Sequence, residues 1–204
     1  MHSCPFGAIS TKTLVLDVIQ AILSGKEVYA MCAPATEGQF GKDISMGSVR
    51  SALKKLGFKD MVEVGLGGDM TAAYEALEWS EARKEGKQMT TSCCPAFLHL
   101  LQKHFPEQYH NNMSETLSPM AAVSRYLKAI HPDCVTVFIG PCMAKKSESQ
   151  EMGIRGNADY VLSFGEFTSL LRSKGVKLEP EVERYQEASL WGKGFASSGG
   201  VTNA

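Results

Sequence analysis

Apolar and polar positions recur in two rhythms along this chain, and the changes between them mark its elements. Thr13 to Leu23 (TLVLDVIQAIL) carries apolar residues at helical spacing and ends at Ser24-Gly25, a helix stop. Val28 to Ala35 (VYAMCAPA) is a short β-prone apolar run closed by Pro34. Ile44 to Leu56 returns to helical spacing and stops at Gly57, and Met61 to Leu66 (MVEVGL) reads as a strand before a Gly67-Gly68 turn. Asp69 or Thr71 then offers a cap for a helix from Thr71 to Lys84. Met89 to Ser92 reads as a strand leading into Cys93-Cys94-Pro95.

The second half repeats the alternation. Ala96 to Phe105 is helical in pattern, and Ser118-Pro119 supplies an N-cap and a first-turn proline for a helix through Ile130. Val135 to Ile139 (VTVFI) is the clearest buried strand, and it runs straight into Gly140-Pro141-Cys142. Ala158 to Leu162 and Glu166 to Ser173 add a strand and a helix, while Gly192 to Ala204 is rich in Gly and Ser. Short strands alternating with helices predict an α/β fold with mainly parallel sheets flanked by helices. Ligands of such sheets sit outside the carboxyl ends of the strands. Cys93-Cys94 and Cys142 both fall at strand ends of this kind, so two separated ends are expected to present thiols to one cleft.

Charge narrows the function classes. The 204 residues hold 21 Lys and Arg against 22 Asp and Glu, a net charge of −1, which excludes a dedicated nucleic-acid binder. No apolar run approaches the ~20 residues of a membrane span. Gly65-Leu66-Gly67-Gly68-Asp69 is glycine-rich but lacks both the dinucleotide-binding spacing and a P-loop lysine, so it reads as a turn between strand and helix. Six cysteines are too sparse for a small disulfide scaffold, form no C-x-x-C pair, and follow no signal-peptide pattern. Reduced thiols in the cytoplasm are the expectation.

Three groups of residues carry possible chemistry. Adjacent loop residues point in different directions, so one thiolate of Cys93-Cys94 can bind a metal while its neighbour faces a separate cavity. A helix N-terminus beside them lowers a thiol pKa. The pair taken alone reads just as well as two small buried hydrophobes. Lys145 follows Cys142 by three residues and offers a fixed positive charge to an anionic ligand, although a lone lysine is more often solvated. Glu75 and Glu78 share one face of a predicted helix, where a solvated acidic face is the simpler reading of the spacing alone.

TSCCPAF at Thr91 to Phe97 and PCMAKKSE at Pro141 to Glu148 resemble, in that order, the first two signature motifs of the active-site domain of [FeFe]-hydrogenases. Further matches lie in Ala33-Pro34-Ala35, Gly68-Asp69-Met70-Thr71, Ser118-Pro119 and Phe195 to Val201. The resemblance implies a two-lobed domain with the active-site cleft between its lobes, and reversible dihydrogen oxidation and proton reduction. It implies a [4Fe-4S] cubane held in part by Cys94 and Cys142, joined to a binuclear iron subcluster with CO, CN and azadithiolate ligands. By the same resemblance, Cys93 passes protons to the subcluster and Lys145 bonds one of its cyanides. Pro34, Ala35, Ser118 and Phe195 line the subcluster pocket. Cys93, Glu75, Ser114 and Glu78 match a proton relay to solvent, and hydroxyls and carboxylates suit that task. The implied partners are dihydrogen and protons, a ferredoxin-like electron carrier or fused iron-sulfur domain, and the hydrogenase maturation proteins.

The departures shape a second expectation. Cys4-Pro5-Phe6-Gly7-Ala8-Ile9 resembles the end of a ferredoxin-type cysteine run, so residues 1–10 read as the tail of such a segment, with an accessory [4Fe-4S] cluster near Cys4. Residues 11–204 read as an active-site domain without its C-terminal part, because the family's third motif, which carries two more cubane cysteines, does not occur. Cys32 and Cys134 read as core thiols rather than substitutes. Gly140, Phe97 and Met120 replace a methionine, a tryptophan and a glutamine of the well-studied enzymes, a pattern closer to divergent branches of the family. The alternatives are therefore a hydrogen-sensing relative, or a non-catalytic iron-sulfur binding protein like the prelamin-recognition-factor-like relatives that serve cluster assembly.

Overall fold

The computed structural model describes residues 4–6, 10–180, 185 and 189–203. Helix α1 (Val15–Leu23) precedes β1 (Val28–Cys32), α2 (Met46–Leu56), β2 (Asp60–Glu63) and α3 (Gly65–Lys84). Three helices follow, α4 (Pro95–His104), α5 (Pro106–Asn112) and α6 (Pro119–Ile130). The chain then forms β3 (Val135–Ile139), α7 (Ala144–Glu148), β4 (Tyr160–Leu162) and α8 (Phe164–Ser173). A 3-10 turn at Gly192–Ala196 leads into the short α9 (Gly200–Asn203). The ferredoxin-like tail expected at residues 1–10 lies largely outside the described residues.

The four strands form one wholly parallel sheet in the order β2-β1-β3-β4. Every residue of the two central strands is buried, which is why both read as continuous apolar runs without alternation. On one face, Val28, Ala30 and Cys32 join Val135, Val137 and Ile139 beneath α1, α2 and α8. On the other, Tyr29, Met31 and Phe138 pack against Met120, Val123 and Leu127 of α6. The chain leaves β1 toward β2 and leaves β3 toward β4, in opposite directions. A crevice therefore opens between the carboxyl ends of β1 and β3, where open α/β sheets bind ligands.

Three local expectations need correction. The strand expected over Met61 to Leu66 ends at Glu63, and Gly67-Gly68 is no turn but part of the start of α3. A Cβ on Gly67 would stand 2.1 Å from the Pro119 carbonyl oxygen, and one on Gly68 would stand 2.6 Å from Gly192 Cα. Glycine is needed here for close approach of neighbouring backbone, not for a bend. Neither Asp69 nor Thr71 caps this helix, because both lie inside it; the Thr71 hydroxyl instead donates to the Leu117 carbonyl at 2.9 Å. Met89 to Ser92 is not a strand of the sheet, and only Thr90 pairs, through a single parallel bridge to Met113. This bridge joins the segment before α4 to the residue after α5.

Candidate active site

The crevice widens into a cavity of about 260 Å³. That is close to the lower end of small-ligand pockets, roughly 300–1,000 Å³, and suits a compact group. Pro34 and Ala35 wall it from the loop after β1, Pro141 and Cys142 from the loop after β3, and Cys93 and Cys94 from the start of α4. Lys145 reaches it from α7, and Phe195 closes it from the 3-10 turn. The structure thus gathers both cysteine motifs, which are 47 residues apart from Cys94 to Pro141, on one lining that is mainly apolar.

Local chemistry explains each placement. Pro95 occupies the first turn of α4, where its missing N–H costs nothing, so the helix begins at the vicinal pair and Cys94 is its N-cap residue. Cys94 is exposed, whereas Cys93 and Cys142 are half-buried. The expected lowering of a thiol pKa by the helix terminus fails at Cys93. Burial pushes its pKa above the ordinary thiol value, against an opposing hydrogen bond from Thr91, while the nearby Glu75 carboxylate adds to the rise. Cys32 and Cys134 are buried in the core, and neither lines the cavity.

Lys145 is held from behind. Its Nζ lies 2.6 Å from Glu148 Oε2 and donates to the Cys93 carbonyl at 3.2 Å. Glu148 Oε1 accepts a short hydrogen bond from Ser118, whose hydroxyl also accepts from the Ala121 N–H to cap α6. Ser118, expected in the lining, therefore stands behind it, and the adjacent Pro119 and Met120 face the cavity. Glu148 was not singled out from the sequence. The signal was present in its spacing, three residues after Lys145 on one helical face.

The four residues of the expected relay form two hydrogen-bonded halves. In the first, the Thr91 hydroxyl donates to Glu75 Oε1 at 2.7 Å, the Ser92 N–H donates to the same oxygen at 3.0 Å, and the Cys93 N–H donates to Thr91 Oγ1 at 3.3 Å. In the second, Ser114 Oγ donates to Glu78 Oε2 at 2.5 Å and Thr116 Oγ1 donates to Oε1 at 3.0 Å. Among the described residues no hydrogen bond joins Glu75 to Ser114 directly. The halves meet where the Ser92 hydroxyl makes a short bond to the Thr116 carbonyl. Glu75 and Ser114 are buried, while Glu78 is half-exposed on a surface groove beside Glu81 and Glu85. Thr91, Ser92 and Thr116 are thus part of the network, although the residue pattern gave no reason to select them.

The donor set is compatible with half of a cubane site. Two thiols, Cys94 and Cys142, border the cavity beside Cys93. Among the described residues no group of three or more His, Cys, Asp and Glu is placed to hold a metal ion. No described helix is long and apolar enough to cross a membrane.

A parallel α/β sheet with a switch-point crevice lined by thiols and a buried lysine defines the class of this protein by its fold and its site. Comparison makes the class specific: residues 26–204 match the model of the iron only hydrogenase large subunit, C-terminal domain, and the chain belongs to that family. It is 28% identical to iron hydrogenase 1 of Clostridium pasteurianum, over 98% of this chain and 39% of that protein. It is 26% identical to the NADP-reducing hydrogenase subunit HndD of Solidesulfovibrio fructosivorans, over 85% of this chain and 34% of that one. Among solved structures, a [FeFe]-hydrogenase studied for oxygen inactivation of its H cluster superposes with a TM-score of 0.72 at 23% identity, covering 90% of this chain and 52% of that chain. A variant of the apo [FeFe]-hydrogenase HydA1 from Chlamydomonas reinhardtii gives 0.67 at 24% identity, covering 88% and 52%. The chain therefore spans about half the length, or less, of these relatives.

Proposed function

We propose that this chain is part of an [FeFe]-hydrogenase that catalyses reversible dihydrogen oxidation and proton reduction. The observation that carries the reading is the convergence of Cys93, Cys94, Cys142 and Lys145 on one cavity, with two hydrogen-bonded clusters beside it, one of Thr91 and Ser92 on Glu75 and one of Ser114 and Thr116 on Glu78. The relatives of the same family support it. When bound, a binuclear iron subcluster joined to a [4Fe-4S] cubane supplies the iron chemistry that makes or splits dihydrogen.

The chain's own residues hold that group, place charge beside it and move protons. Cys94 and Cys142 are two of the cubane ligands. Pro34, Ala35 and Phe195 wall the subcluster pocket and exclude water. Lys145 keeps a positive charge at the lining for an anionic diatomic ligand, while Glu148 and Ser118 hold its ammonium in place. Cys93, protonated because burial raises its pKa, holds a proton at the cavity. Glu75 and Glu78 carry protons between that thiol and solvent, Thr91 and Ser92 holding the first carboxylate in place and Ser114 and Thr116 the second. Electrons come from a ferredoxin-like carrier or a fused iron-sulfur domain, maturation proteins load the subcluster, and the protein acts in the cytoplasm.

The test is infrared spectroscopy and hydrogen evolution on the full-length protein after anaerobic maturation. Carbonyl and cyanide stretching bands with measurable turnover are expected. An iron-sulfur protein that loads a cubane yet shows no such bands belongs to the non-catalytic alternative. Bands without turnover point to the sensing relative. Glu78→Gln should keep the bands while cutting the rate.

A further inference from the structure

The glycine run at the start of α3 binds no ligand in the reading above, yet it touches the segment that closes the cavity. Asp69 Oδ1 accepts hydrogen bonds from the Trp191 and Gly192 N–H groups, each at 2.7 Å, and Oδ2 accepts from Leu190 N–H at 2.7 Å. One carboxylate thus satisfies three successive backbone donors that lie more than 120 residues away in sequence. The fit below them leaves no room for side chains. A Cβ on Gly192 would stand 1.8 Å from the Gly65 carbonyl oxygen, and a Cβ on Gly65 would stand 2.5 Å from Ser189 Oγ. Three residues beyond Gly192, Phe195 forms part of the cavity wall, and Val201 joins it from α9.

We propose that Asp69 is a positioning residue, which clamps residues 190–192 onto the glycine platform of α3 and so fixes Phe195 and Val201 as the closing wall of the thiol-lined cavity. The glycines set the distance, and the carboxylate sets the register. A charged acceptor is well suited, because bonds to an ionised oxygen are about twice as strong as neutral ones. Lys193 adds a second tie from the same segment, with its Nζ 3.3 Å from Glu37 and 3.5 Å from the buried Glu63. The inference takes from the proposed function only that the cavity is the working site.

Hydrogen exchange and cysteine alkylation by iodoacetamide, both read by mass spectrometry on the unloaded chain, test it. In the native chain, amides of residues 190–192 should exchange at least about tenfold more slowly than those of the exposed Ser198 and Gly199. Asp69→Asn should speed exchange at 190–192 by about tenfold and alkylation of Cys93 and Cys142 by several-fold. Exposed Cys94 is the reference for full reactivity, and buried Cys32 must stay unreactive, which reports an intact core. Asp69→Glu, which keeps the carboxylate, should recover much of the protection. The inference is overturned by fast exchange at 190–192 in the native chain, or by unchanged exchange or unchanged Cys93 and Cys142 in Asp69→Asn. It is equally overturned if Cys32 reacts in step with the cavity thiols, or if Asp69→Glu behaves as Asp69→Asn does. Should Asp69→Asn not fold, the native-chain comparison still decides. Because these readouts need no iron, the proposed hydrogen chemistry can fail while the clamp stands, and the reverse.

Discussion

Lys145 and Glu148 form an ion pair at 2.6 Å with their side chains only 11% and 6% exposed, and the lysine turns its remaining reach toward the Cys93 carbonyl. A pair this far from water is stable only as a pair. Removing one partner strands a buried charge at a cost of about 3–5 kcal/mol, whereas replacing both by apolar residues is often neutral. Glu148→Ala should therefore lower unfolding free energy by about 3 kcal/mol in urea titrations, and Lys145→Met combined with Glu148→Met should recover most of that loss. Single and double variants of equal stability would show that the lysine finds another partner.

The two halves of the relay make different demands on the matured full-length protein. Ser114→Ala removes the 2.5 Å bond to Glu78 Oε2 but leaves Thr116 on Oε1, so the carboxylate keeps its place and loses one link. Positioned proton-transfer groups contribute about 10²–10⁴-fold, and a fall in hydrogen evolution of about a hundredfold with unchanged iron content is expected. A loss below threefold would move the proton path off Ser114.

Acid stability is set in part on the opposite side of the sheet. Asp60 on β2 accepts from Arg50 Nε at 2.6 Å and Nη2 at 2.7 Å, and from the Met61 N–H at 2.8 Å. The Arg50 guanidinium holds its carboxyl below the usual carboxylate range, against partial burial. A folded pKa below the unfolded value, about 3.9, means stability that is fully present above pH 4 and is lost as pH falls through the folded pKa. Asp60→Asn should cost about 1 kcal/mol at pH 7, with the difference from the native chain shrinking as pH falls from about 4 to about 2. A difference that stays constant down to that pH would mean the loss is one of packing.

Sequence pattern carried the centre of this fold further than its edges. VYAMC and VTVFI are apolar throughout because both faces of the middle strands are covered, and a continuous run of that length admits little else. The start of α3 was illegible for the opposite reason. Gly65, Gly67 and Gly68 have weak helix propensity and no side chains to show a period, and the close approach of Ser189, Pro119 and Gly192 that leaves room only for glycine is a tertiary contact. At the site, the cysteine motifs and Lys145 were legible through the family resemblance of the two motifs, since by residue type alone buried thiols and a solvated lysine read at least as well. Glu148 was marked only by its spacing from Lys145, whereas Thr91, Thr116 and the docking role of Asp69 act through partners that are distant in sequence or by ordinary hydroxyls, and no local pattern marks such contacts.

Gly140 stands where the well-studied relatives carry methionine by resemblance, and the structure shows what fills the space. A Cβ on Gly140 would lie 2.7 Å and 2.8 Å from the Phe138 ring and 3.0 Å from the Ala33 methyl. Phe138 is 4% exposed and Ala33 is 6% exposed, so neither can give way to solvent. Overpacking of this kind costs about 1–3 kcal/mol, and Gly140→Ala should lose that much in a denaturant midpoint. Phe138→Leu alone should also destabilise, by opening a void in the second face of the sheet. Combined, each change relieves the other, so the double variant should be more stable than the sum of the singles by about 1 kcal/mol or more. Additivity within about 0.5 kcal/mol would mean that the two positions do not share volume. If they are coupled, the wall beside Cys142 is built from the Phe138 ring because Gly140 leaves room for it, and the two residues have to change together for this cavity to change shape.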